Sequence, residues 1–301
     1  MKLLSPDAVL EQISAALPDD CRQNVIIVGS LAAGYYFFAG NAAHSIRTKD
    51  VDCMFSPHAK AVAAAGIVTE RLLKAQWEPK DDGEWGQPGS ASTPDDKLPM
   101  IRLKPPGERG GEDWFLELLG APDEQTAQTK TFHRVQTQRG HYAICSFNYL
   151  ALAEWKPIDT RHGLRIARPE MMALANMLHH PDIATNLIAE TQYKRSNKDL
   201  GRVLTLAFLA ARNNEGLELW AQSMALALKE RFPKRAKELA ISAGAGIRKL
   251  MSSEGDKNQA LMISNMGLLA SLDVDREMFD ATGRRFIQSV IEPLEEEAAG
   301  W

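Results

Sequence analysis

Cysteine is scarce, with Cys21, Cys53 and Cys145 the three examples in 301 residues. None belongs to a Cys-x-x-Cys pair, so neither a disulfide framework nor a structural zinc cluster has material to build from. No apolar run approaches the length needed to span a bilayer. The opening Met1-Lys2-Leu3-Leu4-Ser5-Pro6-Asp7 reaches an acid before any long apolar stretch, which is unlike a signal peptide. These absences give the expectation of a reduced, cytoplasmic chain with no membrane segment. Excess positive charge is missing too, and a net charge of −4 supplies no general attraction to nucleic acid. Local basic clusters do occur, at Lys194, Arg195, Lys198 and Arg202, and at Lys229, Arg231, Lys234, Arg235 and Lys237. Both fall in helical-looking sequence, where such clusters commonly form solvated faces.

What is present is an ordinary globular composition, 45% hydrophobic and 25% charged, in a chain long enough for one large domain or two smaller ones. The pattern changes near residue 150. Before it, short β-branched and aromatic runs alternate with helical stretches; after it, nearly everything reads as helix. The expectation is an α/β (α+β) domain over residues 1–150, a mixed sheet flanked by helices, followed by a mainly helical domain over 151–301.

Ser5-Pro6-Asp7 opens a helix with Val9, Leu10, Ile13 and Leu17 at helical spacing. Asn24-Val25-Ile26-Ile27-Val28 reads as a buried strand ending at Gly29-Ser30, with a helix over 31–38 that stops at Gly40-Asn41. The Tyr35-Tyr36-Phe37-Phe38 cluster is expected to pack that helix on the sheet. A strand over 47–55 and a helix over 59–75 follow. Residues 81–97 read as a long polar loop, functional or mobile. Further strands are expected at 100–103, 114–119 and 142–147, and Trp114 and Trp155 are core candidates.

The chemistry concentrates on few positions. Asp50 and Asp52 stand two apart in a strand, so their carboxylates leave one face of the sheet. Two carboxylates held so close repel unless a cation lies between them, and an all-oxygen site suits Mg²⁺ or Mn²⁺ with a nucleoside triphosphate as co-ligand. Gly29-Ser30, at a strand end and a helix start, offers backbone N–H groups, a hydroxyl and the favourable end of a helix dipole to an anion. Glu117 interrupts the apolar run Phe115-Leu116-Glu117-Leu118-Leu119, where a buried, unpaired charge would be costly. It is the third candidate carboxylate, with Glu112 and Asp113 as substitutes and a water-facing edge-strand glutamate as the plain alternative. His179-His180 before Pro181 needs no more than a helix C-terminus to explain it.

The order of these parts, Val25-Ile26-Ile27-Val28-Gly29-Ser30, a helix, then Arg47-Thr48-Lys49-Asp50-Val51-Asp52, resembles the signature of the polymerase-β-like nucleotidyltransferase superfamily. The Arg-x-Thr-x-Asp-x-Asp form is similar to the bacterial branch that includes the AbiEii-type toxins. The resemblance implies Gly29, Ser30, Arg47 and Thr48 at the triphosphate. It also implies Asp50 and Asp52 as ligands of two divalent ions, with Glu117 in the third acidic place. Glutamate there, where aspartate is usual, and the long loop over 81–97 depart from the pattern. Gly163 to Glu170 and then Lys194-Arg195-Ser196-Asn197-Lys198-Asp199-Leu200 are similar to the second half of that branch. By that analogy Lys194, Arg195 or Lys198 reaches the triphosphate and Asp199 orients one of them; a surface charge network on a helix is the alternative.

The expected activity is transfer of NMP from an NTP to a hydroxyl acceptor with release of pyrophosphate. The acceptor is either RNA, such as tRNA, or a small hydroxyl compound, and the resemblance adds a possible antitoxin protein as partner. A non-catalytic relative that binds nucleotide as a regulator is the competing expectation.

Overall fold

Ser5 caps the first helix, α1 (Pro6–Ala16), its hydroxyl accepting from the Ala8 N–H at 3.5 Å, and Val9, Leu10 and Ile13 form the buried stripe. This computed structural model describes residues 3–38, 45–80, 87–107, 114–122, 130–183, 186–188 and 191–301. Among them the chain is α/β, with nine strands in one mixed sheet and a helical C-terminal region. It divides into two compact units, Met1–Ala167 and Arg168–Trp301.

A short helix α2 (Asp19–Arg22) leads into β1 (Val25–Val28), whose four residues are all buried. No loop intervenes before α3 (Gly29–Phe38). The buried residues of α3 are the small or aliphatic Leu31, Ala32, Ala33 and Gly34. A Cβ on Gly34 would stand 3.0 Å from the side chains of Ile46 and Pro6, so the first half of the helix lies in close contact with its neighbours. Tyr35 to Phe38 are only half-buried. The expectation that these aromatics pack the helix is met only in part: the rings are half-buried, and Tyr35 lies edge-on to His162 with ring centres 6.1 Å apart. The predicted helix end at Gly40-Asn41 lies outside the described residues.

β2 (Asp50–Phe55) pairs antiparallel with β1, placing Val28 opposite Asp52. After α4 (His58–Lys74) come β3 (Glu78–Pro79), β4 (Arg102–Lys104) and β5 (Phe115–Gly120). β5 lies parallel to β2 with Glu117 beside Asp52, and β4 lies antiparallel to β5 with Arg102 beside Glu117. The hairpin β6 (Thr131–Thr137) and β7 (Gly140–Ser146) joins at the other end of β5, where Cys145 pairs with Leu119. Beyond β1 lie β9 (Arg165–Ile166), parallel to it, and β8 (Ile158–Asp159).

The expected domain boundary was residue 150. The division falls after Ala167 because β9 is hydrogen-bonded into the sheet and the Ala167 N–H reaches Ile27 O at 2.9 Å. The predicted long loop is in part a tied segment. Gly89 bridges His141, and Arg134 of β6 donates to Asp95 Oδ1 at 2.9 Å, to Ser90 O at 3.1 Å and to Thr93 O. Its residues 81–86 lie outside the described residues. Trp114 and Trp155 are buried as expected.

The second unit comprises α5 (Pro169–Ile183), α6 (Arg195–Arg212), α7 (Glu218–Arg231), α8 (Ala236–Met251), α9 (Glu254–Met266), α10 (Arg276–Phe286) and α11 (Glu292–Ala299), with a π-helical turn at Ile287–Ile291. Gly201 lets α6 approach α9, since a Cβ there would stand 2.8 Å from Ala260 O. The fully buried Asn197 ties the same pair of helices, donating to Asp256 Oδ1 at 3.0 Å and Gln259 Oε1 at 2.7 Å. Among the described residues no helix is long and apolar enough to cross a membrane.

The turn between β8 and β9 is strapped to α1. His162 Nε2 lies 2.8 Å from Asp7 Oδ1, Arg161 pairs with the other Asp7 oxygen, and the Ser14 hydroxyl donates to His162 O at 2.6 Å. Burial pushes the Asp7 carboxyl upward, but the hydrogen bonds from His162 and Arg161 outweigh it and hold the group below the usual carboxylate range. A depressed folded pKa contributes stability that is fully present above the unfolded value and is lost as pH falls through the folded value. Asp7→Asn is therefore expected to lower unfolding stability by about 1 kcal/mol at pH 7. The deficit relative to wild type should close as pH falls below the ordinary carboxylate range, as urea-unfolding midpoints at pH 7 and pH 3 would show.

Candidate active site

Four adjacent strands set the site through their register. Val28 of β1, Asp52 of β2, Glu117 of β5 and Arg102 of β4 form one row across the sheet. Alternation puts Asp50 and Asp52 on one face, while Val51 and Cys53 turn to the other and are buried. The in-phase pairing of Asp50 with Phe115 and Asp52 with Glu117 places all four side chains on that same face. The two aspartates are half-buried, between a solvated surface and a core.

Gly29 is the residue that allows this. Its φ of +74° lies in the left-handed region, and a Cβ built on it would stand 2.8 Å from Asp52 Oδ2. Only glycine tolerates both demands. The Asp52 carboxylate thus rests against the first residue of α3, at the positive end of the helix dipole. Ser30 follows in the same first turn, half-buried. The buried Thr48 hydroxyl lies 2.9 Å from Asp50 O and 3.1 Å from Asp50 Oδ1, which orients that carboxylate from behind. Arg47 is exposed beside it.

Glu117 sits next to Asp52 in the backbone register, but its Oε2 accepts from Arg102 Nε at 2.8 Å. The alternative of a water-facing glutamate does not describe it, since its side chain is mostly covered and ion-paired. Glu112 and Asp113 lie outside the described residues. Among the described residues no three His, Cys, Asp or Glu side chains gather closely enough to hold a metal ion. The fit to a divalent cation therefore rests on the two aspartates: an all-oxygen pair on one face, with a bare glycine backbone against Asp52. That donor set suits Mg²⁺ or Mn²⁺ when substrate phosphates supply further oxygens.

Three nearby cationic residues were not singled out from the sequence. Lys80 Nζ lies 4.3 Å from the centre of the Phe115 ring and Arg102 Cζ 5.7 Å from the same centre. Lys104, two residues after Arg102 on β4, is exposed. The period-two pattern Arg102-Leu103-Lys104 around a buried leucine was the available signal. Burial, then the Asp52 charge, pushes the Cys53 thiol far up. Burial also drives Cys145 to about 11, against the pull of Lys130 and with a smaller push from Glu117.

The remaining expected residues belong to the helical unit. Lys194 precedes α6 and its Nζ bonds to Asp256 Oδ1 at 2.9 Å. Burial pushes Asp256 upward, but hydrogen bonds from Lys194, Asn197 and Ser253 outweigh it and hold its carboxyl below the usual range. Arg195 and Lys198 lie in the first turn of α6. Asp199 is buried, with His179 Nδ1 at 3.3 Å and Arg202 NH1 at 4.0 Å. His179 thus has a carboxylate neighbour in addition to its place near a helix end; the side chain of His180 lies outside the described residues. The chain matches no protein-family model, no curated protein and no solved structure.

Gly29→Ala tests the contact on which this geometry turns. It should cost about 1–2 kcal/mol of stability from the left-handed backbone alone. It should also press on the Asp52 carboxylate, so its total cost should exceed that of the backbone strain by about 1 kcal/mol in urea unfolding. Gly163, also at positive φ (+71°) but with open space where a Cβ would go, provides the control, because Gly163→Ala should cost the backbone strain alone.

Proposed function

We propose that the protein is a metal-dependent nucleotidyltransferase that moves NMP from an NTP to a hydroxyl acceptor. The observation that carries this reading is the seating of Asp50 and Asp52 on one sheet face, with Asp52 against the bare backbone of Gly29 where β1 becomes α3. The resemblance of the Gly29-Ser30 and Asp50-x-Asp52 segments to the polymerase-β-like superfamily points the same way.

In this reading Asp50 and Asp52 present oxygens to the cation, and Thr48 holds Asp50 in place. Ser30 and the first N–H groups of α3 receive phosphate oxygens, and Arg47 stands at the mouth for the outer phosphates. A bound Mg²⁺ or Mn²⁺ would offset charge on the triphosphate and lower the barrier to attack. The acceptor oxygen bonds to the α-phosphorus, the bond to the β-phosphate oxygen breaks, pyrophosphate leaves, and the hydroxyl proton passes to solvent. The residues act mainly by positioning and by fixed charge. Lys194 and Lys198 remain proposed triphosphate contacts only by analogy, and the Lys194–Asp256 pair would have to open for Lys194 to serve.

One observation favours the competing reading, a nucleotide-binding protein without turnover. Glu117, the third carboxylate of the expected set, is paired with Arg102. Pyrophosphate release from each NTP with Mg²⁺ or Mn²⁺, with and without total tRNA, separates the two. Transfer predicts metal-dependent release that drops at least a hundredfold in Asp50→Asn and Asp52→Asn. Tight metal-dependent NTP binding with no release under any acceptor condition would leave the regulatory reading standing. A Glu117→Gln variant adds a further test: as the partner of Arg102 alone it should lose about 1 kcal/mol of stability while keeping metal affinity within a few-fold. As a ligand it should lose metal affinity tenfold or more.

A further inference from the structure

We propose that β6 is an open sheet edge that pairs antiparallel with β6 of a second copy of this chain, and that the two α4 helices meet over the joined sheet. The inference is independent of the reaction proposed above.

The register of the hairpin shows which groups are open. His141 exchanges both backbone bonds with Gly89, at 2.8 and 3.0 Å, and the Ala143 N–H donates to Pro99 O at 2.9 Å, so both residues turn away from β6. Their cross-strand partners are Gln136 and Arg134. Opposite residues that do not bond each other both point outward, and the alternation along the strand adds Phe132. Among the described residues nothing bonds the outward N–H and C=O groups of Phe132, Arg134 and Gln136. β6 also lacks the devices that keep an edge single. It runs seven residues, pairs with β7 without a bulge and holds no proline, whereas β3 and β8, at the other edges of the sheet, are two residues long. The Arg134 guanidinium is turned onto Asp95, Ser90 and Thr93. A groove of about 580 Å³ lies beside this edge, lined by Val62, Gly66, Ile67, Glu70 and Val135, and Val62 and Ile67 are exposed. Open main chain and an uncovered apolar face thus adjoin.

A second copy fits this edge in shape and charge. α4 and β6 run in the same direction: the His58 ring lies 4.8 Å from the His133 ring, a Cβ on Gly66 would stand 3.6 Å from Val135, and Glu70 accepts from the Gln138 N–H at 2.6 Å. A two-fold axis through Arg134 sets Phe132 opposite Gln136 of the second copy and closes about six main-chain bonds. The same axis passes between His58 and Gly66, so Val62 meets its own counterpart. Arg71 and Lys74, further along α4, are carried to opposite ends, and these like charges stay apart. Each copy covers a strip about 25 Å long, the length of α4, and about 20 Å deep across sheet and helix. The two strips together come to about 1,000 Å², the lower limit for a specific interface, which predicts a dimer of micromolar affinity. A two-fold contact uses the edge of both copies, so assembly stops at two.

The test is sedimentation velocity on the full chain from about 1 to about 200 μM, with hydrogen exchange read at the amides of Phe132, Arg134 and Gln136. The wild type should pass from the 33.3 kDa chain to twice that mass as concentration rises. The three outward amides should exchange at least tenfold more slowly in the dimer. Val62→Glu sets two like charges near the axis, and Gln136→Pro removes an outward N–H without touching a bond to β7. Each should weaken the dimer at least tenfold. Leu219→Glu, at an exposed leucine of the helical unit, should dimerise as wild type. Thermal midpoints guard against misfolded variants, and Val62→Glu decides alone where Gln136→Pro does not fold. A wild type that stays monomeric throughout would overturn the second copy as occupant and leave the edge to a foreign strand. A dimer retained in both edge variants, a dimer lost in Leu219→Glu, outward amides unprotected in the dimer, or growth beyond two copies would each overturn the pairing.

Discussion

The contact between the Asp52 carboxylate and the backbone of Gly29 is the constraint around which the N-terminal unit is arranged. For it to exist, β1 must end at Val28, the chain must turn through a left-handed glycine straight into α3, and β2 must return antiparallel with Asp52 opposite Val28. Once that register is fixed, the parallel β5 brings Glu117 alongside, and β4 brings Arg102 alongside Glu117. A shift of one residue in any of these strands would send the carboxylates into the core and Val51 or Leu116 to water, so burial of the other face enforces the row. The geometry of the polar face is thereby set by the apolar one.

Placing several acids on one face is costly, and the structure offsets that cost locally. Asp52 meets the positive end of α3, Asp50 meets the Thr48 hydroxyl, and Glu117 meets Arg102. The helical unit answers its own basic clusters in the same way with Asp256, Glu238, Glu295 and Glu297. Arg248 makes two bonds to Glu295, at 2.6 and 2.8 Å. Trp301 is engaged too: Lys229 Nζ lies 4.4 Å from its ring centre, and Lys237 Nζ donates to its backbone oxygen at 3.3 Å.

Much of this was legible in the sequence, because burial writes itself into period and composition. Four β-branched or aliphatic residues ending at Gly29, and Asp-x-Asp alternating against Val51 and Cys53, specified both strands and the shared face of the carboxylates. The strands Ile158–Asp159, Arg165–Ile166 and Glu78–Pro79 are too short to show any period, and the first two moved the boundary from 150 to 167. β6 escaped for another reason: Thr131 to Arg134 are all half-buried, with no apolar alternation to mark a face. The aromatics of α3 are only half-buried, a degree of cover that composition, which simply favours burying rings, does not foretell. The role of Arg102 was hidden because a cross-strand partner depends on register, which no local window reveals.

That partner bears on how much charge the site can hold. Asp50, Asp52 and Glu117 carry three negative charges when ionised, and Arg102 cancels one of them at 2.8 Å. Lys80 lies beside Arg102 and Lys104 follows on the same face of β4, so the charge that the aspartates meet is set by these cations as well as by Arg102. Arg102 thus accounts for a carboxylate in the middle of an apolar run, and the case for a cation on this face rests on the aspartate pair alone.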